Sequence, residues 1–428
     1  MTDARTIALD ALETVLEDGR PLTAVLEADR RLATLAPRDR AFAFNIVMTT
    51  MRRLGQIDAA IAACMERPLP AKAIKVRAIL RLGAVQLLFL QTPPHAAVAT
   101  AVDQARRRRQ DRFTGLINAV LRRLVREGVS LISNQDAPRI NTPSWLWEAW
   151  EAAYGTNTAR AIAASHLTEP PLDITVQEDL PGWSARLGAL ALPTRSLRLI
   201  NAGQIESLPG YTAGAWWIQD AAAAIPARLL GDIKGEIVID LCAAPGGKTA
   251  QLAAAGADVI AVDRDNGRLA RLTANLSRLG LTARTIDADV TQWQPLARAQ
   301  AVMLDAPCTA TGTIRRHPDI RWTRRPGDIA NLAAIQRSML GAAADMVATG
   351  GTLIYCVCSL EPAEGPEQIT AFLNSGAPFT RRPVVPSEVG GLTEIINDNG
   401  DLRSLPCHMK DTGGMDGFYA CRLIRKTD

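Results

Sequence analysis

The chain has 428 residues, 47% of them hydrophobic, enough for two or three domains with substantial cores. Its net charge of +4 is unevenly divided: residues 1–130 hold 21 Lys+Arg against 13 Asp+Glu, and the remainder holds 27 against 31. No run approaches the roughly 18 apolar residues of a membrane helix, the acid-bearing start has no signal-peptide cleavage site, and seven cysteines with no CxxC pair or zinc-like His spacing argue against a disulfide framework or a metal centre.

The elements follow in chain order. Residues 1–130 read as helical throughout. ARTIALDALETVLEDG carries apolar residues at i, i+3, i+4 spacing and stops at Gly19. PRDRAFAFNIVMTTMRRLGQIDAAIAACM, AIKVRAILRLGAVQLLFL, HAAVATAVDQARRRR and FTGLINAVLRRLVREG repeat the pattern. Arg106, Arg107, Arg108 and Arg109 are four consecutive cations in a basic domain, so a phosphate backbone is the expected neighbour. Residues 131–143 are polar and proline-bearing and predict a linker. Residues 144–230 open with the amphipathic SWLWEAWEAAYG. They continue as short strand-like runs (LDITVQ, SLRLI, AWWIQ) split by Pro and Gly, which predicts a small α+β piece. From 231 to 428 strands and helices alternate, the signature of a parallel sheet covered on both faces. Ligands of such sheets gather at the carboxyl ends of the strands.

The stretch DLCAAPGGKTA, 240–250, is the first candidate site. It is one residue from a triphosphate loop, with Cys242 where that loop needs glycine. A Cβ at Cys242 and the fixed φ of Pro245 make a poor phosphate nest. The next strand ends in Asp263, placed to accept hydrogen bonds from a ribose diol. An adenosine ligand without a polyphosphate, S-adenosyl-L-methionine, is therefore the expected cofactor. The loop Cys242, Ala243, Ala244, Pro245, Gly246, Gly247 would cradle it, with Lys248 toward its carboxylate and Asp289 toward its adenine. A single strand-end acid is often only a helix cap, but Asp263, Asp289 and Asp305 end three successive strands.

Two further stretches carry chemistry: DAPCTATGTIRRHPDIRW, 305–322, and YCVCSLEPAEG, 355–365. Each puts a cysteine at a strand end beside the expected cofactor. Period-two alternation places Cys356 and Cys358 on one face of the sheet, so geometry alone does not choose between them; Cys358 is nearer the carboxyl end. Carbon 5 of cytosine is not nucleophilic until a thiolate adds to carbon 6, so Cys plus Asp beside a methyl donor meets a specific chemical demand. Arg315, Arg316, His317 and Arg321 surround a tryptophan and suit contact with RNA.

DLCAAPGGKT, DAPCTATG with RRHPDIRW, the Cys-Ser of YCVCSL and the terminal DGFYA together closely resemble the RNA 5-methylcytosine methyltransferases of the RsmB/Sun (Fmu) family. The resemblance implies an all-α NusB-like RNA-binding domain at 1–130, a small α+β linking subdomain, and a C-terminal α/β Rossmann-like class I S-adenosylmethionine-dependent methyltransferase domain. It implies Cys358 as nucleophile, Cys308 as the residue aiding product release, and Asp305 touching both cofactor and cytosine. It further implies 16S ribosomal RNA, free or in early assembly, as the substrate; the cysteine usage suggests a reducing, cytoplasmic setting, and a monomer with no membrane partner is expected. One departure stands out: the family's Thr before the nucleophile is Val357 here. A tRNA substrate, a catalytically silent RNA-binding assembly factor, a triphosphate-dependent enzyme and an exchange of roles between Cys308 and Cys358 are the alternatives.

Overall fold

The computed structural model describes residues 3–200 and 202–427. The chain forms two compact units. One runs to Thr168 and adds the later segment Arg316–Arg324; the other holds Glu169–Arg315 and Arg325 onward.

The first unit is helical. Its main helices span Ala4–Asp18, Pro37–Ala63, Ile74–Leu88, Pro94–Arg107 and Thr114–Ser133. Asp3 accepts from the Thr6 amide at 2.8 Å and so caps the first helix. Gly19 ends it at φ +67, in the left-handed region that glycine tolerates. The apolar stripes converge on a core that includes Ile7, Leu12, Ile46, Ile79 and Leu121, all fully buried. The helix expected near residue 114 continues through Ser133, and a further turn covers Ala137–Ile140. The expected linker is thus largely helical. Its Asn141 is fully buried and exchanges hydrogen bonds with Gln56: 3.1 Å from the Gln56 amide and 2.9 Å to the Gln56 side chain. Gly55 lies so close to the Ile140 carbonyl that an added Cβ would sit 1.9 Å from its oxygen.

Within the second unit a small antiparallel sheet is built from β1 (Leu172–Val176), β2 (Leu190–Ala191), β3 (Leu197–Leu199) and β4 (Trp216–Ile218), in the order β2-β3-β1-β4. Arg198 and Asp173 form a bidentate pair across it, both contacts 2.7 Å and both side chains buried. Arg on a carboxylate is the ion pair best suited to a dry site, because both oxygens are satisfied.

The large sheet contains β5 (Ile237–Leu241), β6 (Asp258–Asp263), β7 (Arg284–Asp287), β8 (Ala299–Asp305), β9 (Val347–Val357), β10 (Phe379–Arg381), β11 (Leu402–Ser404) and β12 (Phe418–Arg425). Its order is β10-β12-β9-β8-β5-β6-β7, with β11 also on β12. The run β9-β8-β5-β6-β7 is parallel, and β12 is antiparallel to β9. The chain leaves β5 toward β6 and β7, then returns to place β8 on the other side of β5. That reversal opens a crevice at the carboxyl ends of β5 and β8, where doubly wound sheets bind ligands.

Candidate active site

The loop after β5 fills one wall of that crevice. Cys242 sits at φ +59 and Gly246 at φ +100. A Cβ on Gly246 would come within 2.8 Å of Leu272, so glycine is needed there for conformation and for space. Gly247 then starts the helix Gly247–Ala254. Asp263, at the end of β6, is 3% exposed. Its oxygens accept from the Ala244 amide at 3.1 Å and the Asp265 amide at 3.1 Å, which fixes the carboxylate beside the loop.

Below the loop, Asp240 is fully buried and accepts from the Thr249 hydroxyl at 2.6 Å. Burial pushes its carboxyl up to about 7. Burial also pushes the Cys242 thiol up, reinforced by Asp263 and Asp305. The Lys248 ammonium lies 2.7 Å from Asp305 Oδ2. Burial pulls that ammonium down, but the Asp305 carboxylate outweighs it and the net shift is upward, so Lys248 stays charged. Lys248, expected toward a ligand carboxylate, is ion-paired with Asp305.

The two motif cysteines meet. Cys308 Sγ lies 3.5 Å from Cys358 Sγ. The hydrogen bond to Cys358, with burial, holds the Cys308 thiol well above its ordinary range. Cys356 is fully buried and its thiol donates to Asp305 Oδ1 at 3.4 Å. The structure therefore separates the two cysteines that sequence alternation left equivalent.

A cavity of about 210 Å³ gathers these groups. Cys242, Ala244, Asp263, Asp305, Cys308 and Cys358 all line it, together with Arg264, Arg268 and the apolar Ala288, Val290 and Met339. Asp289 does not. It accepts from the Thr291 amide at 2.8 Å and the Thr291 hydroxyl at 2.6 Å, and those bonds hold its carboxyl below the usual range. Ala243, Pro245, Gly246, Gly247 and Lys248 shape the loop from outside the lining.

The expected RNA contacts divide. Arg106, Arg107 and Arg109 are exposed, whereas Arg108 turns inward onto Asp10 and, at 2.7 Å, Glu13. Arg315 and Arg321 correct the expectation. Arg315 is fully buried and donates to the Gly413 carbonyl at 2.7 Å. Arg321 is 1% exposed and donates to the carbonyls of Asn141 at 2.8 Å and Arg52 at 2.9 Å. The Trp322 indole donates to Met51 at 2.7 Å. Helix Pro37–Ala63 kinks at Arg53, so carbonyls there need donors from outside the helix, and Arg321 and Trp322 supply them. Those guanidinium groups are structural. Arg316 and His317 are half-buried, and burial pushes the His317 imidazole down.

Sequence reasoning missed Glu364. EPAEG reads as a helix start, and nothing in its spacing marks one buried acid. Yet Glu364 is fully buried and accepts hydrogen bonds from Thr309, Ser359 and Gln336.

This fold and this crevice define the class: an S-adenosylmethionine-dependent RNA methyltransferase with a Rossmann-like catalytic domain. Residues 227–424 match the family described as 16S rRNA methyltransferase RsmB/F, and residues 2–126 match the NusB family. The chain is 37% identical to Ribosomal RNA small subunit methyltransferase B of Salmonella typhi and 36% identical to that of Sodalis glossinidius; each match covers 99% of this chain and 98% of the relative. It therefore belongs to the RsmB/F methyltransferase family. The crystal structure of PH0851 shares the fold at a TM-score of 0.77 and 23% identity over 99% of both chains. A methyltransferase homologue from Pyrococcus horikoshii matches 65% of this chain and 93% of its own at 25% identity and a TM-score of 0.54.

Proposed function

We propose that the protein methylates C5 of a cytidine in 16S ribosomal RNA through a covalent adduct between Cys358 and C6 of the base. One observation carries the reading: Cys358 lines a cavity shared with Asp263 and Asp305, its sulfur 3.5 Å from the Cys308 sulfur. The lining suits S-adenosylmethionine. In this reading Asp263 meets the ribose diol and the apolar walls at Ala288, Val290 and Met339 suit an adenine.

When bound, S-adenosylmethionine supplies an electrophilic methyl group on a positively charged sulfur. The Cys358 thiolate adds to C6, which forms a C–S bond and moves an electron pair to C5. C5 takes the methyl as the methyl–sulfonium bond breaks. Loss of the C5 proton to solvent restores the C5–C6 double bond and expels Cys358 as thiolate. Cys308 donates its S–H to the departing sulfur. Asp305, held by Lys248, meets the polar edge of the base and stabilises the adduct.

The names of the relatives favour ribosomal over transfer RNA as substrate. Arg106, Arg107 and Arg109 with Arg316 and His317 are the RNA contacts in this reading, on free or early-assembly RNA, by a cytoplasmic monomer. Among the described residues no helix is long and apolar enough to cross a membrane. The test is adduct trapping. Cys308→Ala should accumulate a protein–RNA adduct stable to denaturing electrophoresis, and Cys358→Ala should form none. An adduct on Cys358→Ala would reverse the two roles.

A further inference from the structure

We infer that Glu364 is a positioning residue that holds the Cys308 loop in register with Cys358 for the release step. The inference rests on the adduct mechanism proposed above and adds a residue to it.

Glu364 lies in the short turn Pro362–Glu364 after β9 and is fully buried. Its Oε1 accepts from the Thr309 amide at 2.9 Å and from Gln336 Nε2 at 3.1 Å. Its Oε2 accepts from the Ser359 hydroxyl at 2.5 Å and from the Thr309 hydroxyl. Its own carbonyl accepts from the Tyr355 hydroxyl at 2.6 Å. Thr309 follows Cys308 and Ser359 follows Cys358, so one carboxylate grips the residue next to each motif cysteine.

The grip is unequal. Arg403, which belongs to neither motif loop, also donates to the Ser359 carbonyl at 2.6 Å, while the Gly312 amide on the Cys358 carbonyl at 3.0 Å and the Thr311 hydroxyl accepting from the Leu360 amide at 2.9 Å tie the far end of the Cys308 loop to the Cys358 side. Thr309, next to Cys308, gives its amide to Glu364, and its hydroxyl reaches both Glu364 and the Ser359 hydroxyl 3.3 Å away. Removal of the carboxylate therefore loosens the Cys308–Thr309 segment of its loop more than Cys358, which the end of β9 and the Arg403 bond to Ser359 still hold. Attack on C6 would proceed, and expulsion of the thiolate would stall. A buried carboxylate receiving several donors is hard to replace, because each donor left behind loses its partner.

The experiment uses the full chain, unmodified 16S RNA and S-adenosylmethionine. Turnover, covalent adduct and cofactor affinity are measured for the parent, Cys308→Ala, Glu364→Ala and Glu364→Gln. For Glu364→Ala the expected result is a fall in kcat on the order of 100-fold, the scale of a displaced catalytic group. Adduct should accumulate well above the parent level, with cofactor affinity close to parent. Glu364→Gln keeps the shape and an acceptor and should lie between the two. Parent-like turnover in Glu364→Ala overturns the inference. So does loss of cofactor binding in both Glu364 variants without adduct, which would make the residue a fold determinant only. Absence of adduct in Cys308→Ala would instead sink the underlying mechanism. Adduct in Cys308→Ala but none in either Glu364 variant sinks this inference alone.

Discussion

Cys308 and Cys358, 50 residues apart in sequence, hold their sulfurs 3.5 Å from each other at the ends of neighbouring strands β8 and β9. Cys356, two residues before Cys358, is engaged differently, with its thiol on Asp305. Cys356→Ala should retain adduct formation and lose some stability, whereas Cys358→Ala should form no adduct. Gel analysis of RNA incubated with each variant and with Cys308→Ala backgrounds distinguishes them. An adduct that disappears with Cys356 would move the nucleophile two residues.

Asp263 is the acid expected to meet the ribose. Asp263→Asn removes a charge-assisted acceptor, a contribution of about 1.5–3 kcal/mol. The expected outcome is a loss of S-adenosylmethionine affinity of roughly 10- to 100-fold. Calorimetric titration of the folded variant checks it; unchanged affinity would remove Asp263 from the cofactor site.

Asp240 should give stability a pH signature. Its carboxyl is raised to about 7 in the folded chain against 3.8 without burial. Between those values the native state holds a proton that the unfolded state has released. Stability therefore falls as pH rises from about 4 to about 7, and the full penalty persists above it. Asp240→Asn keeps an acceptor for Thr249 and should flatten that slope. Melting of both proteins at pH 5 and pH 8 should show the variant gaining relative to the parent at pH 8.

The arginine run should divide by role. Arg108 pairs with Asp10 and Glu13, so Arg108→Ala should cost about 1–3 kcal/mol of stability and leave the salt dependence of RNA binding intact. Substitution of exposed Arg106, Arg107 and Arg109 by Ala should leave stability near parent. It should lower the slope of log K against log salt by about 0.7–0.9 for each phosphate that is no longer neutralised. Filter binding over a salt series measures it.

Much of this is legible in the sequence. Helical periodicity marks the five long helices because each buries one stripe. Asp263, Asp305, Cys308 and Cys358 can be read because they sit at strand ends beside a glycine-bearing loop, where side chains must face a ligand crevice. The rest depends on partners distant in sequence. Arg321 resembles an RNA-binding arginine in RRHPDIRWTRR, and only the kink at Arg53 shows that carbonyls more than 250 residues earlier need its donors. Asn141 reads as linker because its partner Gln56 is 85 residues away. Glu364 is invisible for the same reason: its role comes from Thr309 and Ser359, which no spacing rule joins to it.

The most direct measurement is transfer of labelled methyl from S-adenosylmethionine to unmodified 16S RNA and to unmodified tRNA, with the product nucleoside identified by mass. The expected result is label in 5-methylcytidine on 16S RNA and none on tRNA. Label on tRNA alone, or on another base, would contradict it.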